Sequence, residues 1–183
     1  MQKPVIFLTC RIHCGETPGQ YMLQGIIDKL MDFDDLQTQV LLRNYVFKII
    51  PNLNPDGVAR GMWRFDTQGI NLNRYYENPK DEKHPTVIAA KKEVLKVHDS
   101  GRLKMYMDFH AHCSKRGCFI YGNQNSDPSK LAEAKLIPKL MSMNCVNFDF
   151  RGSVFNDTKN NSEDWQGESR IGSGRSVIGR ETE

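Results

Sequence analysis

The stretch VIFLTCRIHCGETP, residues 5–18, decides the fold and carries the first functional signal. Its first six residues form an apolar run rich in β-branched and aromatic side chains, which is typical of a buried strand. Thr17 and Pro18 then predict a helix start, with Thr17 as the N-cap and Pro18 in the first turn. His13 and Glu16 stand between the two elements. Side chains at the carboxyl end of a strand in an α/β sheet are well placed to bind a ligand.

The rest of the chain alternates predicted strands with predicted helices. Strands are predicted at residues 5–10, 45–50, 103–109, 118–121 and 146–150. Helices are predicted at residues 17–31, 34–43, 84–99 and 128–143. Residues 52–78 are turn-rich and predict a long ordered loop with a simple turn at 54–57, and the polar residues after Gly152 predict a loop or a disordered tail. This alternation predicts an α/β fold with a mixed, largely parallel sheet flanked by helices.

Composition narrows the classes of function. The chain has 183 residues, 39% of them hydrophobic and 26% charged, as expected of one globular domain. The net charge of +3 without a dense basic block gives no support for nucleic-acid binding. No apolar run approaches the roughly 20 residues of a membrane span, and the first residues do not resemble a signal peptide. Five cysteines, an odd number without regular spacing, indicate a reducing compartment, so we expect a cytoplasmic protein.

Two predicted strands end on histidine-bearing motifs, and these motifs predict a metal site. His13 and Glu16 are three residues apart and converge on one ion if the chain turns after the strand. The motif DFHAH, residues 108–112, ends the second strand and offers His110 or His112 as a third ligand. Imidazole nitrogen and carboxylate oxygen are zinc ligands, and a catalytic zinc typically has three protein ligands and one open position. The layout predicts a hydrolytic zinc site.

Four segments in this order make the similarity to a family specific. They are RIHCGETP (11–18), IIPNLNPDG (49–57), WRFDTQGINLNR (63–74) and DFHAHCSKRGCFIYGN (108–123). Together they resemble the zinc metallocarboxypeptidases, above all the cytosolic carboxypeptidase branch that trims glutamate from tubulin tails. Within that branch the sequence is most similar to the enzyme that removes branch-point glutamates. The similarity is strong over residues 3–125 and weak beyond them.

This resemblance implies a role for several residues. It implies one zinc ion bound by His13, Glu16 and His110, with His112 as a hydrogen-bonded loop neighbour. It implies that Arg64 stabilises the oxyanion, a role suited to a fixed positive charge. It also implies that Asn73 and Arg74 bind the terminal carboxylate of the substrate and that Arg175 binds an acidic side chain. These roles suit arginine, because a guanidinium group can bind a carboxylate through two hydrogen bonds. The implied partners are polyglutamylated protein tails, tubulin tails among them, and the implied location is the cytoplasm, with microtubule association.

The sequence also departs from the family pattern. Cys14 stands where the family usually has proline, and its thiol beside a predicted ligand is a candidate for oxidation or for metal competition. The resemblance places the general-base glutamate about eight residues beyond Glu183. Glu181 and Glu183 are therefore not expected to be the base. Lys115 and Arg116 either face acidic tails or form a solvated pair.

These departures predict a partial zinc carboxypeptidase domain over residues 1–183, truncated at both ends, with a loop-rich incomplete part at 152–183. Two explanations stay open. One is a fragment of a longer active enzyme that hydrolyses C-terminal or branch-point glutamate, in which case the 183-residue chain, lacking its general base, is itself expected to bind zinc without turnover. The other is a catalytically inactive zinc-binding chain that binds acidic tails. A zinc amidohydrolase of similar architecture is disfavoured, because Arg64, Asn73 and Arg74 suit a substrate with a free carboxylate.

Overall fold

The computed structural model describes residues 2–155 and 170–182. Its strands are β1 (Val5–Cys10), β2 (Val46–Ile50) and β3 (Leu103–Phe109). Its α-helices are α1 (Thr17–Met31), α2 (Leu36–Asn44), α3 (Pro55–Ala59), α4 (Pro85–Asp99), α5 (Pro128–Asn144) and α6 (Gly174–Glu181). Short 3-10 helices lie at Leu72–Arg74 and Arg170–Gly172. No helix in the described ranges is both long and apolar enough to cross a membrane.

The described chain divides into two compact units. The first contains the residues up to Ala111 and those from Gly172 onward, and so holds the three strands and every α-helix named above except α5. The second contains the described residues between His112 and Ile171.

The sheet of the first unit is parallel, and β1 lies in its middle. The strand order is β2-β1-β3. Thr9 of β1 pairs with Ile50, and Cys10 pairs with Phe109 at the end of β3. Because all three strands run in the same direction, the residues that follow β1 and β3 emerge at the same edge of the sheet.

Helices cover both faces of this sheet. On one face, Val5 and Phe7 of β1 pack into a core with the apolar stripes of α4 and α6, which includes Val94 and Val177. On the other face, Leu8 and Cys10 pack with Leu23 of α1. Alternate β1 residues therefore point into opposite layers, as a strand buried on both sides requires. The predicted α/β class with a parallel sheet flanked by helices is confirmed.

The second unit contains α5 and two isolated parallel bridges, Cys118 to Phe148 and Tyr121 to Val154. Its helix begins after Asp127, whose carboxylate accepts a hydrogen bond from the Ser129 amide. The predicted strands at 118–121 and 146–150 are thus wrong as continuous elements, because the first is paired only by isolated bridges at Cys118 and Tyr121 and the second only at Phe148.

Three further expectations need correction. The predicted simple turn at 54–57 is the start of α3, because the Asn54 side chain caps that helix and accepts from the Gly57 amide. The predicted tail after Gly152 is helical at Gly174–Glu181, where Val177 and Ile178 are buried in the core. The predicted N-cap Thr17 lies inside α1, and Glu16 occupies the cap position without a side-chain cap bond. Residues 156–169 of the predicted loop lie outside the described residues.

Candidate metal centre

The two histidine-bearing segments meet because their strands are neighbours in the sheet. Chain direction changes directly after β1 at Arg11, which has a φ of 58°. This left-handed conformation is rare for a residue with a side chain and is concentrated at functional sites. At the start of α1, a Cβ on Gly19 would lie 3.0 Å from the carbonyl oxygen of Phe109. The close approach of α1 to the end of β3 brings Glu16 towards His110.

Three side chains converge at this edge. His13 Nδ1 lies 2.8 Å from Glu16 Oε1, and His110 Nδ1 lies 2.9 Å from Glu16 Oε2. The two Nδ1 atoms are 3.2 Å apart. One candidate ligand atom from each of the three residues lies within 4.8 Å of the others. His13 is buried, and Glu16 and His110 are partly buried, so the cluster is open on one side.

The Nε2 atoms of His13 and His110, which point away from the cluster, each donate a hydrogen bond to a separate acceptor. His13 Nε2 donates to Asn71 Oδ1 over 3.1 Å, and His110 Nε2 donates to Asp108 Oδ2 over 2.7 Å. A neutral imidazole carries one proton, so a ring that donates through Nε2 presents a lone pair at Nδ1. Two such lone pairs facing each other at 3.2 Å beside a carboxylate repel unless a cation or a proton lies between them. The donor set and its protonation therefore fit a zinc ion.

The charges of the cluster follow from burial and from these contacts. Burial lowers the pKa of His13, which keeps that imidazole neutral. Burial alone would raise the pKa of Glu16. Hydrogen bonds and charges from both histidines outweigh burial and hold that pKa well below its usual range. Burial also opposes the charge on His110, yet the Asp108 and Glu16 carboxylates outweigh it and raise the pKa of His110 to about 10. Without a metal, one proton on His110 balances the Glu16 charge.

Arg64 points its guanidinium into the same cluster. Its Nη1 lies 3.3 Å from Glu16 Oε1 and 3.4 Å from His13 Nδ1. The residue before Arg64 is Trp63, and its carbonyl oxygen accepts a 2.6 Å hydrogen bond from the Gly15 amide, which holds it against the loop that follows β1. A Cβ on Gly15 would lie 2.5 Å from that carbonyl oxygen, so only glycine permits this approach. The structure therefore brings the Arg64 guanidinium into direct contact with the candidate metal centre.

The predicted carboxylate-binding residues are held by a distant segment. Asn73 Oδ1 accepts a 2.9 Å hydrogen bond from the Gly174 amide. Arg74 Nη1 donates to the Asn73 carbonyl over 2.8 Å. Arg175 follows directly on Gly174 at the start of α6. The predicted motifs NLNR and GSGR thus pack together.

Cys14 is outside the cluster that fits a metal ion. The thiol is buried, and its Sγ donates to the Phe65 carbonyl over 3.0 Å. Asn54 Nδ2 donates to the same sulfur over 3.4 Å and to the Ile12 carbonyl over 3.2 Å. Burial raises the pKa of Cys14, so the protonated thiol is favoured, and a protonated thiol competes poorly for metal.

The remaining predicted residues have other partners. His112 belongs to the second unit, where its Nδ1 accepts from the Ser114 amide over 3.2 Å, as expected of a hydrogen-bonded loop residue. Lys115 donates to the Gly152 carbonyl and lies over the rings of Phe119 and Tyr121. Glu181 Oε1 accepts from Lys91 Nζ over 2.7 Å.

Sequence reasoning missed three supporting residues: Asn71, Asp108 and Asn54. Asn71 stands two residues before Asn73, and Asp108 two residues before His110. On a strand, residues two apart share a face, so Asp108 could have been found from its spacing to His110. Asn71 and Asn54 act across more than 40 positions of sequence, and their own segments carry no signal for these contacts.

Fold and site together define an α/β protein with a candidate zinc centre at the carboxyl edge of a parallel sheet. Residues 1–172 match the zinc carboxypeptidase family, Peptidase_M14, and the chain belongs to that family. Over 262 residues it is 31% identical to cytosolic carboxypeptidase-like protein 5 of Homo sapiens, with 96% of this chain and 30% of that protein covered. It is 38% identical over 157 residues to cytosolic carboxypeptidase 6 of Mus musculus, with 85% of this chain and 29% of that protein covered.

Solved structures show the same fold. A metallo-carboxypeptidase from Burkholderia cenocepacia superimposes with a TM-score of 0.82 at 20% identity, covering 99% of this chain and 46% of the other. A metallo-carboxypeptidase from Pseudomonas aeruginosa, in complex with (2-guanidinoethylmercapto)succinic acid, gives a TM-score of 0.79 at 22% identity with the same coverage. The chain spans less than a third of the length of the two cytosolic carboxypeptidases named above.

Proposed function

We propose that this protein is a zinc-dependent metallocarboxypeptidase that removes C-terminal or branch-point glutamate from protein tails such as those of tubulin. The observation that carries the proposal is the convergence of His13 Nδ1, His110 Nδ1 and the Glu16 carboxylate within 4.8 Å. Membership of the zinc carboxypeptidase family supports the choice of metal.

His13, Glu16 and His110 would hold one zinc ion and leave a coordination position open. Zinc bound there supplies Lewis acidity towards a scissile carbonyl and lowers the pKa of a water molecule. Arg64 then serves the carbonyl oxygen, because its guanidinium already lies 3.3 Å from Glu16 and the backbone of the preceding residue, Trp63, is held by a hydrogen bond from the Gly15 amide. A preorganised cation at this position stabilises an oxyanion without reorganising during the reaction.

Asn73, Arg74 and Arg175 would select the substrate. A C-terminal glutamate carries two carboxylates, and a branch-point glutamate does likewise. The Asn73 amide and the Arg74 guanidinium suit the terminal carboxylate, while Arg175, on the helix that also binds Asn73, suits the side-chain carboxylate. Residues 1–183 are accordingly proposed as part of one catalytic domain. The names of the cytosolic relatives support a cytoplasmic location, and tubulin tails as substrates would bring the protein to microtubules.

The alternative is a zinc-binding protein that holds acidic tails without hydrolysing them. The observation on its side is Glu181, which is committed to an ion pair with Lys91 and does not offer a free base. Both functions use the same metal centre and the same carboxylate-binding residues, so turnover is what separates them.

The test uses the zinc-loaded full-length gene product that contains residues 1–183, together with three synthetic peptides. One ends in a linear run of glutamates, one carries a glutamate on a side-chain γ-carboxyl, and the control is the linear peptide with an amidated C-terminus. The proposal predicts release of free glutamate from at least one of the first two and none from the control, measured by mass spectrometry. Saturable binding of the acidic peptides without release would support the alternative. Neither binding nor release would contradict both.

A further inference from the structure

Asp108 is a buried carboxylate next to the candidate metal centre but is not one of its three candidate ligands. It lies near the end of β3, and its side chain is 6% exposed. Its Oδ2 atom is 2.7 Å from His110 Nε2, and its Oδ1 atom accepts a 2.7 Å hydrogen bond from the Thr9 hydroxyl. Both carboxylate oxygens therefore have a partner, and the side chain is fixed at both ends.

The Thr9 hydroxyl extends this arrangement across the sheet. Thr9 is fully buried on β1 and pairs with Asp108 in the strand register. Its single hydroxyl proton goes to the Asp108 carboxylate, so its oxygen accepts from the Tyr106 hydroxyl, 3.1 Å away. Burial raises the pKa of Tyr106 well above its usual value, which keeps that phenol a donor. The hydrogen bonds run in one direction, from Tyr106 to Thr9 to Asp108.

We infer that Asp108 is a positioning residue for the metal centre, which fixes His110 in the tautomer with its proton on Nε2 and is itself held in place by Thr9. The inference rests on the proposed function, because it takes His110 as a ligand through Nδ1. Because both Asp108 oxygens serve as acceptors, one for the Thr9 hydroxyl and one for the His110 ring, the His110 proton lies on Nε2 and the Nδ1 lone pair is directed at Glu16 and His13.

The two histidines differ in their anchors, and this difference gives Asp108 its particular effect. His13 donates to the neutral carboxamide of Asn71, whereas His110 donates to a carboxylate. A carboxylate partner orients the imidazole and also increases its basicity as a ligand, and loss of such partners typically weakens metal binding about 10- to 100-fold. A carboxamide partner orients the ring without adding charge. His110 is thus the ligand whose donor strength the protein sets through a second residue.

The test measures the zinc dissociation constant of the 183-residue chain by competition with a chromogenic chelator. Asp108→Asn keeps the shape of the side chain and removes its charge, and Thr9→Val removes the hydroxyl that holds it. Thr38→Val is the matched control, because Thr38 is also a fully buried threonine whose hydroxyl donates, but to the Lys29 carbonyl. His13→Ala, which deletes a candidate ligand, is the reference for a lost site.

We expect Asp108→Asn to weaken zinc binding by about 10- to 100-fold, Thr9→Val to weaken it less, and Thr38→Val to leave it within about twofold. Long-range proton–nitrogen NMR of the zinc-loaded wild type should show His110 with its proton on Nε2. If Asp108→Asn does not fold, the NMR tautomer and Thr9→Val decide the question. A proton on Nδ1 of His110, or unchanged affinity in a folded Asp108→Asn, would overturn the inference. Unchanged zinc affinity in His13→Ala would instead contradict the proposed metal centre itself.

Discussion

The main-chain N–H of Gly174 donates a 2.9 Å hydrogen bond to Oδ1 of Asn73, joining residues 101 positions apart in sequence. Close by, the Tyr76 amide donates to the Gly172 carbonyl over 3.0 Å. These two bonds fasten the start of α6 to the loop that carries Arg74. The proposed carboxylate-binding site is therefore built jointly from the middle and the end of the chain.

Asn73→Ala should destabilise the fold as well as weaken substrate binding. The substitution leaves the buried Gly174 amide without its acceptor, which costs about 1–3 kcal/mol. Urea unfolding of the metal-free chain measures this loss. Asn144→Ala is the control, because that exposed side chain donates to the Leu140 carbonyl of its own helix, and we expect a change within about 0.5 kcal/mol. Equal losses in the two variants would show that the Asn73 bond contributes nothing specific.

Gly172→Ala should disrupt the same contact between the segment at the start of α6 and the loop that carries Arg74. A Cβ at this position would lie 2.2 Å from the Arg74 carbonyl oxygen, so the backbone of one segment must move. We expect a lower melting temperature and a higher KM for glutamate-terminated peptides. Gly25→Ala is the matched control, since its Cβ meets nothing within 4 Å on an exposed face of α1. Alanine is the better helix former there, so Gly25→Ala should stabilise by about 0.5–1 kcal/mol. Equal melting temperatures for the two variants would contradict the close packing at Gly172.

The sequence predicts the ligand-bearing elements better than the residues that support them. The strand at Val5–Cys10 and the spacing of His13 to Glu16 are local patterns, so they can be predicted from the sequence. The partnership of Asn71 with His13 depends on how a loop folds back over 58 positions, and no local pattern encodes it. Helix α6 was missed because glycine and serine at 172–174 favour turns, whereas burial of Val177 and Ile178 in the core favours the helix. Tertiary packing therefore determines the structure of this segment.

Arg64→Met should separate metal binding from catalysis in a protein that turns over. Arg64 is not a candidate ligand, so zinc should still bind. Loss of a preorganised cation beside a developing oxyanion typically lowers kcat by about 100- to 1,000-fold. Steady-state kinetics with glutamate-terminated peptides measure kcat and KM. Arg60→Met removes an exposed arginine of the same segment and should change neither constant. An unchanged kcat in Arg64→Met would exclude the proposed role.

Zinc binding should release one proton at neutral pH. The raised pKa of His110, about 10, means that its imidazole is protonated in the metal-free protein, and zinc binds only the neutral ring. His13 is already neutral because burial lowers its pKa, and Glu16 is already ionised because its pKa lies well below the usual range. Zinc affinity should therefore rise about tenfold per pH unit from about pH 7 to about pH 9. Calorimetric titration in two buffers of different ionisation enthalpy counts the protons; a count of zero at about pH 7 would contradict this charge state.

Zinc stoichiometry tests the central claim most directly. The 183-residue chain, dialysed with zinc and then against buffer without it, should retain one zinc per chain by mass spectrometric metal analysis. His110→Ala should retain almost none, because it removes one of three converging ligands. His112→Ala is the matched control two residues away, and it should retain the full amount, since His112 bonds to Ser114 in the second unit. Equal zinc content in wild type and His110→Ala, or loss of zinc in His112→Ala alone, would contradict the metal centre.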